Sequence, residues 1–426
     1  MSWFARLAEA APRYAALLRS QYWRPEQLAS YREEQLEQTL RATAKIPFYA
    51  EHFGGSVRAA DLAKLPILTR SSIASLAASV RSQCRPGAVF VSERSSGTSG
   101  IAVELLFDES HQRGRNAART RYLRANGWNP LRRSVWFVGA RLLTMHNPDY
   151  AGAAELIRGF NSIGVTFLST FMPFDEAVAT LARIKPVSVY AYPSGIDGIL
   201  QILEETGQRL PSLRVVMCGG EVVDDSLRQR ARAQFGFDLR DNYGSTEAFL
   251  AFECPKGSYH INAEHVLIEI VDQAGNAVKP GAMGRVLVTT LENFLMPLVR
   301  YEIGDYAVAA SGDCACGRTL PLIGKVLGRQ VNLLRKPDGS LVSGWHAVGM
   351  LRKAPEMKVF QLLQKSLTDV RVRYVASEPL SAEREAMLTA TLQDQIGPQA
   401  IVAFEQVNTI ERSASGKFMV TLSEIA

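Results

Sequence analysis

Short apolar runs alternate with longer helical patterns between residues 89 and 290, and this alternation restricts the fold more than any other feature of the chain. The clearest runs are Val135–Val138, Val165–Leu168, Val187–Tyr190 and Leu213–Met217. Strands that alternate with helices form largely parallel sheets, because the crossover helices cover the faces of the sheet. The sequence therefore predicts an α/β domain.

Different patterns flank this region. Residues 1–45 have helical periodicity, which breaks at Ile46-Pro47 because proline disfavours helix in the residue before it. Val266–Val271 and Arg285–Thr289 predict an antiparallel pair in a β subdomain. We expect a large N-terminal domain over residues 1–328, with parallel sheets, helices and this subdomain. A small α+β C-terminal domain would follow over residues 329–426.

Composition and charge exclude several classes of protein. The 426 residues are 47% hydrophobic and 21% charged, with a net charge of +6, as in folded proteins rather than disordered ones. No run approaches the roughly 18 consecutive apolar residues of a membrane span. The first residues lack the pattern of a secretory signal. We expect a cytoplasmic protein without a membrane partner.

The densest basic stretch runs from Arg113 to Arg133 at roughly helical spacing. Only Tyr122 supplies an aromatic ring there, whereas surfaces that bind single-stranded nucleic acid interleave several. We interpret the stretch as a solvated helix face, with phosphate contact as the alternative, and expect no nucleic-acid partner.

Four short motifs carry residues suited to nucleotide chemistry. They are Ser95–Gly100, Asp241–Glu247, Arg300–Asp305 and Gly416-Lys417. Glycines let the backbone turn and direct its N–H groups at phosphate oxygens, and hydroxyls add donors. Carboxylates suit Mg²⁺ and could accept both hydroxyls of a ribose. Each motif alone is more often a surface turn, and the chain contains no Walker P-loop pattern.

Together and in this order, the motifs resemble those of the acyl-adenylating enzyme superfamily, and more closely its phenylacetate–CoA ligase-like branch. The resemblance covers nearly the whole chain. Its segments are Ile46–Tyr49, Leu65–Thr69, Ser95–Gly100, Tyr192–Ser194, Gly219–Glu221, Tyr243–Glu247, Met296–Tyr301, Gly304-Asp305, Gly328-Arg329 and Gly416-Lys417. An ordered set of motifs is far more specific than any one of them.

The resemblance implies an ATP-dependent, AMP-forming ligase that uses Mg²⁺ and has a mobile C-terminal domain. Three catalytic residues are implied: Thr246 contacts the α-phosphate, Glu247 holds Mg²⁺, and Lys417 arrives with the C-terminal domain. Nucleotide contacts are implied for Ser95, Ser96, Gly97, Thr98, Ser99, Gly100, Gly220, Glu221, Asn242, Tyr243, Gly244, Asp305 and Arg329.

The substrate of such a ligase is a small acid. Trp136, Phe137, Tyr192, Gly219, Gly220 and Tyr243 lie near segments that wall the acid pocket in the family. Aromatic walls suit a flat ring, although these side chains could equally be core. The resemblance therefore favours a small aromatic acid.

Two segments depart from the family pattern. Gln330-Val331-Asn332 stands where an acidic hinge residue usually follows Gly-Arg, and residues 341–346 also differ. The acceptor therefore stays open between a thiol, of CoA or an acyl carrier protein, and an amine. An unusual acid such as nitrite and a catalytically silent nucleotide-binding protein are further alternatives. The sequence also leaves a homodimer open.

A fifth signal is a set of soft ligands. Three thiolates and one imidazole match a closed tetrahedral zinc site, and the chain offers Cys254, His260, Cys314 and Cys316. His265 is an alternative to His260, and four unrelated side chains are the plain alternative. Five cysteines are an odd number, which argues against a disulfide framework. We expect Cys84 and Cys218 to be buried thiols.

Overall fold

The computed structural model describes residues 3–54, 57–85, 90–95, 103–139, 164–352, 354, 356–411 and 418–425. Contacts between residues divide these into two compact units. The first comprises the described residues of 3–132, Gly164 and those of 240–326, and the second comprises the described residues of 133–139, 165–239 and 327–425. Each unit therefore combines stretches that are far apart in the sequence.

The helices and strands are numbered in chain order. Within the described ranges the helices are α1 (Trp3–Ser20), α2 (Pro25–Thr43), α3 (Pro47–Phe53), α4 (Ser72–Gln83), α5 (Glu109–Ala125), α6 (Phe174–Ile184), α7 (Pro193–Thr206), α8 (Asp225–Phe235), α9 (Trp345–Leu351) and α10 (Ala382–Ile396). The strands are β1 (Val91–Ser95), β2 (Val103–Phe107), β3 (Ser134–Val138), β4 (Val165–Ser169), β5 (Ser188–Ala191), β6 (Val215–Cys218), β7 (Asp238–Arg240), β8 (Asn242–Gly244), β9 (Phe249–Glu253), β10 (Tyr259–Ile261), β11 (Val266–Val271), β12 (Met283–Thr290), β13 (Tyr301–Ala309), β14 (Leu322–Arg329), β15 (Leu333–Arg335), β16 (Leu341–Ser343), β17 (Val359–Gln364), β18 (Asp369–Val375), β19 (Ile401–Gln406) and β20 (Thr421–Ser423).

The predicted helical entry segment is confirmed. It consists of α1 and α2, and the chain leaves the helical conformation after Thr43. Ile46 is extended, and Pro47 opens α3 at a position where its missing N–H costs no hydrogen bond. No helix in the described ranges is long and apolar enough to cross a bilayer.

A seven-stranded sheet is the largest sheet of the first unit, with the order β11-β12-β13-β14-β10-β9-β8. Val266 pairs with Thr290 and Val271 with Arg285, so the predicted antiparallel pair is confirmed as β11 and β12. A separate hairpin pairs β1 with β2, and Ser95 lies opposite Val103. Residues 96–102, which include most of the first motif, connect its strands but lie outside the described residues.

The second unit contains the parallel sheet that the alternation predicts. Its order is β4-β3-β5-β6-β7, and the register of β3, β4, β5 and β6 is parallel. Valines from the middle of this sheet pack with leucines of α6 and α7 in one buried core: Val135, Val189, Val216, Leu181, Leu200 and Leu203. Burial on the sheet face explains why these strands read as apolar runs.

The C-terminal part of the second unit has the predicted α+β character. Its four-stranded sheet has the order β19-β18-β17-β20, and α10 packs on it through Leu388, Leu392 and Ile396. The proposed domain boundary after residue 328 falls at the end of β14 and stays a prediction.

The interpretation of the basic stretch as a solvated face is wrong for two of its residues. Arg121 on α5 is 1% exposed and forms an ion pair with Glu264 at 2.7 Å, also 1% exposed. Its guanidinium also donates to the Leu17 carbonyl and the Asn262 side chain, at 3.2 and 2.7 Å. Arg115 is 13% exposed and pairs with Glu93. Charge periodicity alone cannot distinguish a buried arginine from a solvated one.

We predict that Arg121→Met destabilises the protein by about 3–5 kcal/mol, because it leaves the carboxylate of Glu264 buried without its partner. Burial raises the pKa of Glu264, but Arg121 outweighs burial and holds this pKa below its usual range. Chemical denaturation measures the effect.

The matched control is Arg371→Met, which removes an exposed ion pair to Glu405. Its unfolding midpoint should stay at the wild-type value, because exposed pairs contribute little. Equal destabilisation by the two changes would contradict a special role for the buried pair.

Candidate active site

The second motif forms a tight turn between two strands of the first unit. Strand β8 carries Asn242 to Gly244 and pairs antiparallel with β9, and a register shift follows Tyr243. The Ser245 N–H donates to the Ala248 carbonyl at 3.0 Å, which closes the turn. Thr246 is half-buried at its tip, and Glu247 is 2% exposed. The predicted phosphate and Mg²⁺ ligands therefore lie side by side on a short, hydrogen-bonded segment.

The motif around Asp305 lies next to this turn. The Tyr243 hydroxyl donates to Oδ2 of Asp305 at 2.8 Å, and both side chains are 7% exposed. Asp305 lies on β13, directly after Gly304, whose φ of 85° favours glycine. The structure thus brings together two residues that are 62 positions apart and that the resemblance assigns to the nucleotide.

Arg300 directly precedes β13 and has a backbone conformation that is unusual for a residue other than glycine. Its φ is 48°, and its guanidinium donates to the carbonyls of Ala63 and Leu65 at 2.8 and 2.7 Å. The Leu68 N–H donates to the Arg300 carbonyl at 3.1 Å. Left-handed backbone in a side-chain-bearing residue persists only where surrounding contacts enforce it, and these contacts tie the third motif to residues 63–68.

Glu221 and Arg329 belong to the second unit. The Glu221 carboxylate accepts from the Ser194 N–H and hydroxyl, at 2.9 and 3.0 Å, and from the Phe418 N–H at 2.8 Å. Phe418 directly follows Lys417, so Glu221 fixes the chain next to that lysine. Gly220 has a φ of 80°, as expected for a glycine turn. Arg329 ends β14.

Some assigned residues lie outside the described residues. Ser95 ends β1, whereas Ser96, Gly97, Thr98, Ser99, Gly100 and Lys417 are not described. Their roles stay predictions. So do the roles of the assigned residues that the structure describes, which are Ser95, Gly220, Glu221, Asn242, Tyr243, Gly244, Thr246, Glu247, Asp305 and Arg329.

A small recess lies in the second unit. Its lining is mostly apolar and includes the rings of Phe137, Phe174 and Tyr192, with Thr170 as a polar neighbour. Burial raises the pKa of Tyr192 to about 12, so its phenol stays neutral at physiological pH. Two of the residues suggested for the acid pocket, Phe137 and Tyr192, are among its walls.

The predicted metal ligands converge in the first unit. The ligand atoms of Cys254, His260, Cys314 and Cys316 all lie within 4.8 Å of one another. The sulfurs of Cys254 and Cys314 are 3.6 Å apart, and Cys316 Sγ is 3.2 Å from His260 Nε2. Ligands of tetrahedral zinc lie roughly 3.7 Å apart when Zn–S is about 2.3 Å, so the four residues fit a closed zinc site.

Two glycine-containing turns position the cysteines, and backbone groups support the ligands. The N–H groups of Lys256 and Cys316 donate to the sulfurs of Cys254 and Cys314, both at 3.4 Å. His260 Nδ1 lies 3.4 Å from the Leu320 carbonyl, which leaves Nε2 for a metal. Burial lowers the pKa of His260 to about 4, so the imidazole is neutral, as a ligand must be.

His265 is not part of this cluster. Its Nδ1 lies 2.7 Å from Glu292 Oε2, and its ring is 4.6 Å from that of His111. The alternative that His265 replaces His260 is therefore wrong. Cys218 is buried, as expected, and Cys84 is only half-buried.

Sequence reasoning missed two residues beside the turn. Arg115 Nη1 donates to the Thr246 carbonyl at 3.2 Å, and the His111 imidazole lies against the backbone of Glu247. They are one helical turn apart on α5, a spacing that aligns them on one face. The spacing was visible, but nothing in the sequence identifies the carbonyls that this face meets.

Two family profiles match parts of the chain. A profile described as AMP-binding enzyme matches residues 156–296, and one described as CapK C-terminal domain matches residues 334–424. A phenylacetate-coenzyme A ligase of Thermus thermophilus is 28% identical over 217 residues, 47% of this chain and 48% of that protein. These stretches of the chain are similar to acyl-adenylating enzymes, and in particular to phenylacetate–CoA ligases.

Two further proteins extend the comparison, one by sequence and one by fold. A phenylacetate-coenzyme A ligase of Pseudomonas putida is 27% identical over 168 residues, 38% of each protein. The matched stretches thus span less than half of either ligase. The crystal structure of a 2-hydroxyisobutyryl-CoA ligase with its adenylate aligns with a TM-score of 0.75 at 17% identity, over 96% of this chain and 93% of that one. This likeness shows the adenylate-forming ligase fold.

We predict that the purified protein contains zinc, and that Cys254→Ser and Cys314→Ser lose it and lower the melting temperature. Removing one of four ligands opens a site that otherwise joins two turns. Elemental mass spectrometry of the purified variants measures the metal.

Cys84→Ser is the matched control, because it removes a thiol outside the cluster. It should retain the wild-type zinc content. Wild-type protein purified without a chelator and free of zinc would contradict the assignment, as would equal zinc loss in Cys84→Ser.

Proposed function

We propose that this protein activates a small, aromatic carboxylic acid as its acyl-adenylate and transfers the acyl group to the thiol of CoA. The observation that carries the proposal is the Tyr243–Asp305 hydrogen bond beside the Thr246–Glu247 turn. It unites an aromatic face, a hydroxyl and two carboxylates on the motifs that the family uses for nucleotides. The similarity to phenylacetate-coenzyme A ligases supports the choice of acid and acceptor.

In the first step one carboxylate oxygen of the acid bonds to the α-phosphorus of ATP. The bond from that phosphorus to the bridging oxygen breaks, and pyrophosphate leaves. Both reactants are anions, so catalysis must offset the negative charge that builds in the transition state. Thr246 would donate to the α-phosphate, Asp305 would hold the ribose, and Lys417 would supply an ammonium near the reacting oxygens.

Glu247 would hold Mg²⁺, since a carboxylate is the hard oxygen donor that this ion prefers. When bound, Mg²⁺ neutralises phosphate charge. The near-complete burial of Glu247 fixes its carboxylate in place before the nucleotide binds.

In the second step the thiol sulfur bonds to the acyl carbon, and AMP leaves with the oxygen that came from the acid. The thiol proton passes to solvent. No covalent enzyme intermediate is needed, so the chain contributes position and charge rather than a nucleophile.

The recess beside Phe137, Phe174 and Tyr192 supports a small acid. Its lining is small and mostly apolar, which suits a compact acid rather than a long one. Aromatic walls favour a ring by offset stacking and edge contacts. A neutral Tyr192 phenol avoids placing a second anion near the carboxylate.

The number of protein ligands supports a structural role for a zinc ion bound by Cys254, His260, Cys314 and Cys316. Four protein ligands leave no position for a catalytic water, so the metal would stabilise the β9–β10 turn and the 314–317 turn. The cytoplasmic location and the homodimer stay predictions.

The test is pyrophosphate release with AMP detection across aryl, alkyl and inorganic acids, each with and without CoA. We expect an aryl acid to give pyrophosphate, and CoA then to give a thioester. Pyrophosphate release without thioester formation would favour an amine or a carrier protein as the acceptor. A preference for nitrite over the aryl acids would make nitrite, rather than an aromatic acid, the substrate. The silent-protein alternative predicts nucleotide binding without turnover.

We predict that Lys417→Ala lowers acid-dependent exchange of pyrophosphate into ATP by about 10²–10³-fold, the cost of removing one transition-state donor. The affinity for ATP should change little. Steady-state kinetics and calorimetric titration measure the two quantities.

Lys365→Ala is the matched control, because it removes an exposed lysine of the same C-terminal segment that pairs with Glu424. It should exchange pyrophosphate at the wild-type rate. An undiminished rate in Lys417→Ala would remove this lysine from the mechanism.

A further inference from the structure

Helix α5 meets the Thr246–Glu247 turn with two side chains. Arg115 Nη1 donates to the Thr246 carbonyl at 3.2 Å, and His111 lies against the backbone of Glu247. His111 is fully buried, and burial, His265 and Arg115 together hold its pKa well below the usual value, so it is neutral. The Thr246 carbonyl is therefore held by Arg115, while the His111 ring packs beside Glu247.

The same guanidinium reaches a second predicted nucleotide-binding segment. Both terminal nitrogens of Arg115 donate to the carboxylate of Glu93, and Nη1 lies 3.2 Å from Oε2. Glu93 lies on β1, two residues before Ser95, where the Ser95–Gly100 motif begins. Arg115 thus connects the strand that leads into the phosphate motif with the turn that carries Thr246.

The surroundings fix the orientation of this guanidinium. It lies over the Phe107 ring, 5.4 Å from the centroid, and Nη2 donates to Gln112 Oε1 at 2.9 Å. These contacts require the planar, forked guanidinium of arginine, because one side chain must bind the Glu93 carboxylate and the Thr246 carbonyl at once. A lysine ammonium is a single point of contact and cannot reproduce this geometry.

We propose that Arg115 is a positioning residue for adenylation. By binding Glu93 and the Thr246 carbonyl together, it sets strand β1 and the Thr246–Glu247 turn relative to each other before ATP binds. This inference rests on the proposed function. The inference adds Arg115, which acts on the reaction indirectly, by placing Thr246.

The chain offers a matched control in the same hairpin. Arg81 binds Glu104 of β2 through two hydrogen bonds, at 3.0 and 2.6 Å. This pair also joins the hairpin to a helix, α4, but none of its described hydrogen bonds reaches the Thr246–Glu247 turn. Arg81→Gln therefore removes a bidentate ion pair without removing the contact to the turn.

The experiment compares Arg115→Gln, Arg115→Lys and Arg81→Gln. It measures acid-dependent pyrophosphate exchange as kcat and KM for ATP, together with melting temperature and ATP affinity without acid. Arg115→Gln should lower kcat/KM by about 10²-fold, the effect expected of a misplacement near 1 Å. Arg115→Lys should recover less than a tenth of the loss, and Arg81→Gln should stay within about twofold of wild type.

Three results would overturn the proposal: equal activity of Arg115→Gln and Arg81→Gln, full recovery in Arg115→Lys, or a rate loss matched by unfolding at the assay temperature. If Arg115→Gln fails to fold, Glu93→Gln decides. Glu93→Gln keeps the hydrogen bond from Arg115 to the Thr246 carbonyl. It should lower kcat/KM by about tenfold, which in free energy is roughly half of the loss expected for Arg115→Gln. An unchanged kcat/KM would refute the proposed role of the Arg115–Glu93 contact.

Failure of the proposed function has a different signature. If no acid gives exchange with the wild-type protein, ATP affinity becomes the readout. Positioning predicts weaker ATP binding in Arg115→Gln than in Arg81→Gln, and equal binding would refute it.

Discussion

The position of the 240–264 segment depends on polar side chains from α5. Arg115, Arg121, Tyr122 and Asn126 bind the Thr246 carbonyl, the Glu264 carboxylate, the Arg240 carbonyl and the Glu253 carbonyl. Burying a peptide group without a hydrogen-bond partner is costly in free energy. Each of these contacts therefore disfavours backbone conformations of the segment in which the hydrogen bond is lost. The Thr246–Glu247 turn is thus supported by neighbouring hydrogen bonds as well as by its own strands.

The cysteine and histidine cluster supports the other end of the same strands. Cys254 directly follows β9 and His260 lies on β10, while Cys314 and Cys316 come from a distant turn. A metal bound there would join these segments. The predicted catalytic turn and the metal cluster are therefore two parts of one supported segment, although their chemistry differs.

Much of this was visible in the sequence, for physical reasons. The β3, β5 and β6 strands bury apolar residues, so they appear as apolar runs. The candidate metal ligands were recognisable because thiolates with glycine turns are uncommon. Burial of Arg121, the Glu292 partner of His265 and the use of Glu221 to hold the Phe418 N–H were not predictable. Each depends on a partner that is distant in sequence, and no local pattern specifies such a partner.

The central claim is that the acid is activated through its carboxylate as an acyl-adenylate. An acid labelled with oxygen-18 in its carboxylate tests this directly, with mass analysis of the AMP released during thioester formation. The proposed chemistry predicts that one labelled oxygen appears in AMP, because the acid oxygen that attacked the α-phosphorus leaves with it. Unlabelled AMP, or ADP with labelled phosphate, would contradict the account.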